Sequence, residues 1–313
     1  MRIASIDIGT NTILMLIGEV DPTGSLHVIQ DEHAIARLGR GVDGQRLIPK
    51  DSFYRASEVL QKYITIARAH NVDAIIACGT SALRDATNRE EFLKFIREIL
   101  ALPIRILSGS EEARMTYRGA LSDILRGNSQ HYGVLDIGGG STELISGIGM
   151  KVDTSVSIDI GSVRLTERIL KHSPPAEESI NEFHDVVDAA LSTIHYQNNI
   201  EKLIGVAGTL TTLAAIDLQL SKYDKLAIQG HVLSLSVIDR IYKALRPLNY
   251  DQLCSYPQIH PDRADILLAG IMILRKVLRY LGLQNIEVSV NGLRHGLLLE
   301  YMSTMEQSTS DHS

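Results

Sequence analysis

Two segments of the sequence place an aspartate directly before a glycine-containing turn and hydroxyl side chains. They are Asp7-Ile8-Gly9-Thr10-Asn11-Thr12 and Asp136-Ile137-Gly138-Gly139-Gly140-Ser141-Thr142-Glu143. Glycines in a tight turn let backbone N–H groups converge on an anion, and the hydroxyl groups add further donors. A carboxylate at the end of a strand, here Asp7 or Asp136, can hold Mg²⁺ directly or through water. Phosphate and magnesium held together indicate phosphoryl transfer.

Apolar runs precede and follow both segments, so each predicts two strands joined by a glycine turn. Each segment also stands near the start of one half of the chain. This repetition predicts two related domains that face each other across a cleft. Either segment alone has a second interpretation, in which its glycines merely close a hairpin. The pair favours phosphate binding.

Strand and helix patterns alternate along the chain, which predicts an α/β protein with central sheets. Apolar runs predict strands at residues 3–8, 13–20, 74–78, 104–107, 133–137, 143–147, 203–206 and 287–290. Apolar residues at helical spacing predict helices at residues 51–70, 89–100, 110–125, 177–195, 234–245 and 263–281.

The polar stretch at residues 126–131 is the best candidate for a linker between the two halves. We therefore expect a first domain over residues 1–126 and a second over residues 127–313. A helix at about residues 292–305 is expected to pack back on the first domain.

Composition argues against several classes of protein. Lys and Arg number 31 against 37 Asp and Glu, which gives a net charge of −6. A chain with this charge lacks the positive electrostatic field expected of a protein that binds duplex DNA. Tryptophan is absent and aromatic residues make up 5%, which disfavours stacking on single-stranded nucleic acid. The longest apolar stretch, residues 266–274, is far shorter than the roughly 20 residues that span a bilayer. The two cysteines form no CxxC pair, so we expect a cytoplasmic protein without a structural zinc site.

Three loops add candidates for chemistry. Ser108 and Glu111 fit a helix capping box, which leaves Glu112 either to complement the helix dipole or to orient and deprotonate water. Arg84 follows a strand and can bind phosphate oxygens or pair with a nearby carboxylate. Gly208 and Thr209 lie where a strand gives way to a helix, a position that suits an anion or simply a tight turn.

Two better-known nucleotide motifs are excluded. The sequence contains no GxxxxGK[ST], so a P-loop is ruled out. A literal GxGxxG occurs at Gly39, Gly41 and Gly44, but Pro49 follows closely and the next helix is expected near Asp51. A dinucleotide fingerprint needs its last glycine to open a helix, so we expect a flexible loop here.

The chain resembles the exopolyphosphatase/guanosine pentaphosphate phosphohydrolase family, a branch of the actin-like ATPase and sugar-kinase superfamily. The similar segments are IDIGTNTILMLI, ACGTSALRDATNREEFL, ILSGSEEAR, LDIGGGSTEL, SIDIGSVRLTE, GVAGTLTTLA and RADILLAG. They occur in family order and cover nearly the whole chain. The resemblance implies two ribonuclease-H-like domains and a homodimer.

The resemblance also implies roles for particular residues. Glu112 looks like the catalytic base and Arg84 like the phosphate-binding arginine. Asp136 and Glu143 look like the metal-binding and water-positioning carboxylates. The phosphate cradles correspond to Thr10, Asn11, Thr12, Gly138, Gly139, Gly140 and Ser141, with Gly208 and Thr209 in the second domain. The implied cofactor is Mg²⁺ or another divalent cation.

Three positions depart from the family pattern: Ala207 replaces a glycine, and Asn291 and His295 stand where acidic residues are usual. These departures bear on second-domain contacts and substrate preference. We expect a phosphohydrolase that releases terminal phosphate from polyphosphate or guanosine pentaphosphate, with neither nucleic acid nor membrane as a partner. The alternatives are an ATP-dependent sugar or carboxylate kinase and a non-catalytic, nucleotide-binding actin-like protein.

Overall fold

A computed structural model describes residues 1–21, 26–123, 130–194 and 200–310. The chain divides into two units, one formed by Met1–Ile124 with Asn291–Ser313 and the other by Leu125–Val290. The predicted domain boundary at residues 126 and 127, and most of the predicted linker, lie outside the described residues.

The first unit is built on a five-stranded sheet. Its strands are β1 (Arg2–Ile8), β2 (Thr12–Val20), β3 (Leu26–Ile35), β4 (Ala74–Gly79) and β5 (Ile104–Ile106). Their order is β3-β2-β1-β4-β5, with β2 antiparallel to both of its neighbours and β4 and β5 parallel to β1. β1 is therefore central, and its apolar residues are buried on both faces.

Helices cover both faces of this sheet. They are α1 (Val42–Gln45), α2 (Lys50–Ala69), α3 (Ser81–Asp85), α4 (Arg89–Leu100), α5 (Gly109–Ala120) and, from the end of the chain, α13 (Leu293–Ser310). Phe53 of α2 packs edge-on against Phe92 of α4, with ring centroids 5.1 Å apart, over one face. On the other face, Met115 of α5 and Leu297 of α13 pack around Cys78 of β4. Burial raises the pKa of the Cys78 thiol to about 12, so this cysteine stays protonated and packs as part of the hydrophobic core.

The second unit contains a six-stranded sheet. Its strands are β6 (His131–Ile137), β7 (Thr142–Ile148), β8 (Lys151–Ile158), β9 (Lys202–Val206), β10 (Val232–Ser234) and β11 (Asn285–Val288). Its helices are α6 (Ser162–Arg168), α7 (Glu177–Ser192), α8 (Ala207–Asp217), α9 (Lys225–Ile228), α10 (Leu235–Leu245), α11 (Tyr250–Cys254) and α12 (Pro261–Leu281). Proline at the start of α12 follows His260, whose side chain accepts from the Asp262 N–H.

The two sheets share one topology. In the second sheet, β8-β7-β6-β9-β11 repeats the order of the first, and β10 is added antiparallel at the edge. Five strands in this order, with the second antiparallel to the rest, form a ribonuclease-H-like sheet. The predicted α/β fold with two related domains is confirmed. The described helices include none that is long and apolar enough to cross a membrane.

Every predicted strand and helix is present; α4 has the predicted ends, and the ends of the other predicted helices are shifted. The helix expected at residues 110–125 already ends at Ala120. The strands that the sequence patterns miss are β3, β8 and β10. These strands lie in exposed or edge positions and carry polar residues, so no apolar run marks them.

Candidate active site

Both predicted hairpins end in the same tight turn. In the first, the Gly9 N–H donates to the Thr12 carbonyl oxygen at 2.9 Å, and a Cβ at Gly9 would lie 3.1 Å from that oxygen. In the second, the Gly138 N–H donates to the Ser141 carbonyl oxygen at 2.9 Å, and a Cβ at Gly138 would lie 3.0 Å from it. Glycine suits both positions because the backbone approaches so closely.

The start of α6 holds the second turn, residues 138–141, which we call the glycine cradle. The carbonyl oxygens of its three glycines accept three hydrogen bonds from backbone N–H groups and two from side chains: Ser162 N and Oγ to Gly138 O at 2.9 and 3.2 Å, Val163 N and Arg164 N to Gly139 O at 2.9 and 3.0 Å, and Arg164 Nε to Gly140 O at 2.6 Å. In a trans peptide the N–H points opposite to the preceding C=O. The N–H groups of Gly139, Gly140 and Ser141 therefore point away from α6, as an anion-binding concavity requires.

Gly161 makes this arrangement possible, and the sequence patterns gave it no role. A Cβ at Gly161 would lie 2.4 Å from the Gly139 carbonyl oxygen. Only a residue without a side chain lets α6 begin so close to the cradle. Gly161 and Arg164 both belong to the segment SIDIGSVRLTE, so the resemblance was the one available signal for them.

The first turn is held in a similar way by the segment after β3. The Gly39 N–H donates to Thr10 O at 2.8 Å, and the Arg37 N–H donates to Asn11 O at 2.9 Å. Of the glycines in the GxGxxG motif, Gly39 and Gly41 precede α1 and Gly44 lies within this one-turn helix. A Cβ at Gly39 would lie 2.3 Å from Thr10 Cγ2, so this glycine is needed for packing.

Arg84 and Glu112 come from the ends of neighbouring parallel strands. Arg84 lies on α3 after β4, and Glu112 lies in the first turn of α5 after β5. Arg84 Nη1 donates to Glu112 Oε2 at 2.6 Å and to Leu107 O at 3.2 Å. The Thr10 and Ser81 hydroxyl oxygens are 2.9 Å apart and connect the first turn to the start of α3.

Glu111 and Glu112 have opposite electrostatic environments. The predicted capping box is confirmed: Glu111 Oε2 accepts from Ser108 N at 2.9 Å, and the Glu111 N–H donates to Ser108 Oγ. The hydrogen bonds that the Ser108 N–H and hydroxyl donate to this carboxylate hold the pKa of Glu111 below its usual value. Glu112 is only 8% exposed, and burial raises its pKa although Arg84 counteracts the shift. Neighbouring carboxyl groups with pKa values moved apart are typical of acid–base sites.

The carboxylates of the two hairpins differ in their neighbours. Asp136 of β6 lies directly opposite Glu143 of β7. In the first hairpin, Asp7 of β1 lies opposite Leu14 of β2. The carboxylate pair is thus a feature of the second hairpin, where Glu143 is 2% exposed.

Gly208 and Thr209 begin α8, at the end of the strand next to β6. Asp136 is in register with Val206 of β9, so the glycine cradle and the start of α8 lie at the same edge of the sheet. A Cβ at Gly208 would lie 1.2 Å from Nη1 of Arg263, so any side chain there would displace the guanidinium. Burial lowers the pKa of the Arg263 guanidinium, a group that the sequence patterns did not single out.

The predicted residues thus form two sets. In the first unit, the turn at Thr10–Thr12 is bonded to α3, and α3 is bonded through Arg84 to Glu112. In the second unit, the Asp136–Glu143 pair, the glycine cradle and Gly208–Thr209 share one sheet edge. Asp7 lies in register with Cys78, on the sheet face that α5 covers.

A sequence model of the Ppx/GppA phosphatase family matches residues 16–305. The chain belongs to this family. Exopolyphosphatase 2 of Mycobacterium tuberculosis is 32% identical over 95% of this chain and 98% of that protein.

Solved structures agree with the Ppx/GppA assignment. An exopolyphosphatase-like protein superposes with a TM-score of 0.92 at 30% identity, covering 97% of this chain and 100% of the other. The Ppx/GppA family member of Aquifex aeolicus superposes with a TM-score of 0.83 at 30% identity, covering 97% and 98% of the two chains. The resemblance in the sequence is therefore confirmed, and the chain is a phosphohydrolase by family.

The donor set of the second hairpin fits a magnesium ion. Asp136 and Glu143 are hard oxygen donors directly opposite each other. The part of the chain that the structure describes holds no group of three or more His, Cys, Asp or Glu side chains arranged for a metal. Mg²⁺ usually binds one or two carboxylates and takes its other ligands from phosphates and water. Two carboxylates beside an anion cradle match that requirement.

Ala207, which departs from the Ppx/GppA pattern, has an unusual backbone. Its φ is +71°, in the left-handed region that glycine adopts without penalty. An alanine there costs on the order of 1 kcal/mol. The glycine of the family pattern is thus explained by backbone conformation.

The other two departures lie in the first unit. Asn291 Nδ2 donates to Asp123 Oδ2 at 2.7 Å and to Ser122 Oγ at 3.2 Å. An acidic residue at this position would face the Asp123 carboxylate, so the amide removes a like-charge contact. His295 is 3% exposed, and its Nδ1 accepts from the Gly292 N–H at 3.2 Å.

Proposed function

We propose that this chain is a Mg²⁺-dependent phosphohydrolase that releases the terminal phosphate of inorganic polyphosphate or guanosine pentaphosphate by in-line attack of water. Membership of the Ppx/GppA family and the name of the M. tuberculosis relative support polyphosphate as a substrate. The observation that carries the proposal is the buried Glu112 carboxylate, held by Arg84 at 2.6 Å.

Glu112 has the properties of a base that acts on water. Burial raises its pKa, which makes it a better proton acceptor than an exposed carboxylate. Glu111 cannot take the same role, because its oxygens accept the hydrogen bonds of the capping box. We assign the orientation and deprotonation of the attacking water to Glu112.

Arg84 has two anionic partners in this scheme. Without substrate its guanidinium pairs with Glu112, and a phosphoryl group offers it oxygens of higher charge. As the guanidinium turns to phosphate, Glu112 loses part of its counter-charge and becomes more basic. Substrate binding thereby strengthens the base.

The glycine cradle supplies donors for the phosphoryl oxygens. Its N–H groups point away from α6 because the carbonyl groups of the turn are bound on the other side. Fixed backbone donors stabilise developing negative charge without reorganisation. Asp136 and Glu143 would hold Mg²⁺, which supplies neutralisation of phosphate charge when bound.

A phosphate-release assay tests this function directly. Purified protein is incubated with polyphosphate, guanosine pentaphosphate or ATP, with and without Mg²⁺, and the Glu112→Gln variant is run in parallel. We expect Mg²⁺-dependent release of inorganic phosphate from polyphosphate or guanosine pentaphosphate, lost in the variant. Release in the variant at the wild-type rate would reject the assignment of Glu112.

The other candidate functions give different results in the same assay. An ATP-dependent kinase transfers phosphate to a sugar or carboxylate acceptor and yields a phosphorylated product in place of free phosphate. A non-catalytic nucleotide-binding protein yields neither. Either result would contradict the proposed phosphohydrolase.

A further inference from the structure

Three side chains form a row across the second sheet. Asp136 of β6 is in register with Glu143 of β7, and Glu143 is in register with Ser157 of β8. Directly opposite residues on neighbouring strands project from the same face of a sheet. The Ser157 hydroxyl therefore lies beside the carboxylate pair, on the side of Glu143 that is remote from Asp136.

The hydroxyl of Ser157 makes a direct bond in this row. Ser157 Oγ donates to Glu143 Oε1 at 2.7 Å, the usual length for a hydroxyl bound to a carboxylate. Glu143 is 2% exposed, so this bond replaces water at a buried anion. It also restricts rotation about the last torsion of the side chain, which determines where both carboxylate oxygens point.

The first unit shows that the fold itself does not require this serine. The corresponding row of the first sheet is Asp7, Leu14 and His33. There the middle position is apolar and the edge strand carries a different side chain. Serine at the edge position thus accompanies a carboxylate at the middle position.

We propose that Ser157 is a positioning residue: it holds the Glu143 carboxylate in the orientation in which Glu143 and Asp136 together bind the divalent cation. This inference rests on the proposed function, since the cation belongs to the same phosphohydrolase site. Hydroxyl and amide groups that orient metal-binding carboxylates are typically worth ~10–100-fold in metal affinity or activity.

Cation binding without substrate tests the proposal. Mn²⁺ is titrated into wild type, Ser157→Ala, Ser157→Thr and Ser157→Val, and free Mn²⁺ is measured by electron paramagnetic resonance. We expect Ser157→Ala and Ser157→Val to weaken Mn²⁺ binding by about tenfold. Ser157→Thr, which keeps the hydroxyl, is expected to stay close to wild type.

Two controls separate positioning from folding. Ser155→Ala removes a hydroxyl from the same strand, at a position opposite Ile145, and is expected to leave Mn²⁺ affinity unchanged. The Thr and Val variants are β-branched and nearly isosteric, and they differ only in the hydroxyl. If Ser157→Ala fails to fold, the Mn²⁺ affinities of the Thr and Val variants still test the role of the hydroxyl. Melting temperatures are compared for all variants.

The outcomes distinguish this inference from the proposed function. Equal Mn²⁺ affinity of the Thr and Val variants, or no Mn²⁺ binding by wild type, overturns the role of Ser157. Weaker Mn²⁺ binding by the Val variant supports that role even if wild type releases no phosphate from polyphosphate or guanosine pentaphosphate. In that case the proposed function fails and the positioning of Glu143 stands.

Discussion

Arg84 Nη1 lies 2.6 Å from Glu112 Oε2 and 3.2 Å from the Leu107 carbonyl oxygen. One guanidinium thus ties the start of α5 to the helix that follows β4. Only 24% of the Arg84 side chain and 11% of the Glu112 side chain are exposed, so solvent weakens the pair far less than a surface ion pair.

Replacing Glu112 by Gln is expected to lower kcat by ~10²–10⁴ while KM changes little, because the amide fills the same space and cannot accept a proton. Steady-state phosphate release measures both constants. The matched control is Glu111→Gln, since glutamine also serves at this position of a capping box. If the two variants lose activity equally, Glu112 is not the base.

Replacing Arg84 by Met is expected to shift the acid limb of the pH–rate profile to higher pH. Glu112 acts when ionised, so the rate falls as the pH drops through its pKa. Burial raises that pKa and Arg84 lowers it, so removal of the guanidinium raises it further. The readout is kcat/KM against pH, which reports the pKa of Glu112 in the free enzyme, where Arg84 pairs with it. Arg84→Lys keeps the positive charge and should shift the acid limb less. If the acid limb of Arg84→Met stays at the wild-type pH, Arg84 does not lower the pKa of Glu112.

Replacing Gly161 by Ala is expected to raise KM for phosphate-containing substrates about tenfold or more. The new methyl group would lie 2.4 Å from the Gly139 carbonyl oxygen, so α6 and the cradle must move apart. Displacement of catalytic groups by about 1 Å can cost roughly 10²-fold. Gly44→Ala is the control, because its Cβ meets no atom within 4 Å. Unchanged KM in Gly161→Ala would show that α6 does not hold the cradle.

Replacing Ala207 by Gly is expected to stabilise the protein by about 0.5–1 kcal/mol, because it relieves a left-handed backbone at φ +71°. Urea denaturation measures the change as a higher midpoint. Ala215→Gly in the same helix should have the opposite effect, a loss of about 1 kcal/mol. A lower midpoint for Ala207→Gly would mean that the alanine is not strained.

The central strands and the hairpin turns could be predicted from the sequence because their signals are local. β1 and β6 are apolar runs, and the turns that follow them carry glycines where the backbone comes within hydrogen-bond distance of itself. The capping box likewise involves residues three positions apart, and it correctly separated Glu111 from Glu112.

The supports of the site could not be predicted because they depend on contacts between distant residues. Gly161 and Arg263 are recognised only when the cradle and α8 have been folded against them. The edge strands β3 and β8 carry polar side chains, so no apolar run marks them. Ser157 on β8 is recognised as a partner of Glu143 only in the folded sheet, where its hydroxyl donates to the Glu143 carboxylate.

The bonds between α6 and the carbonyl oxygens of residues 138–140 mean that residues outside the anion-binding surface orient its N–H groups. A ligand on the N–H side would meet the main-chain N–H groups of residues 139–141, whereas the groups of α6 that orient them lie on the carbonyl side of the same peptide planes. Substitutions around residues 161–164 could therefore retune anion affinity without altering a single group that meets the anion.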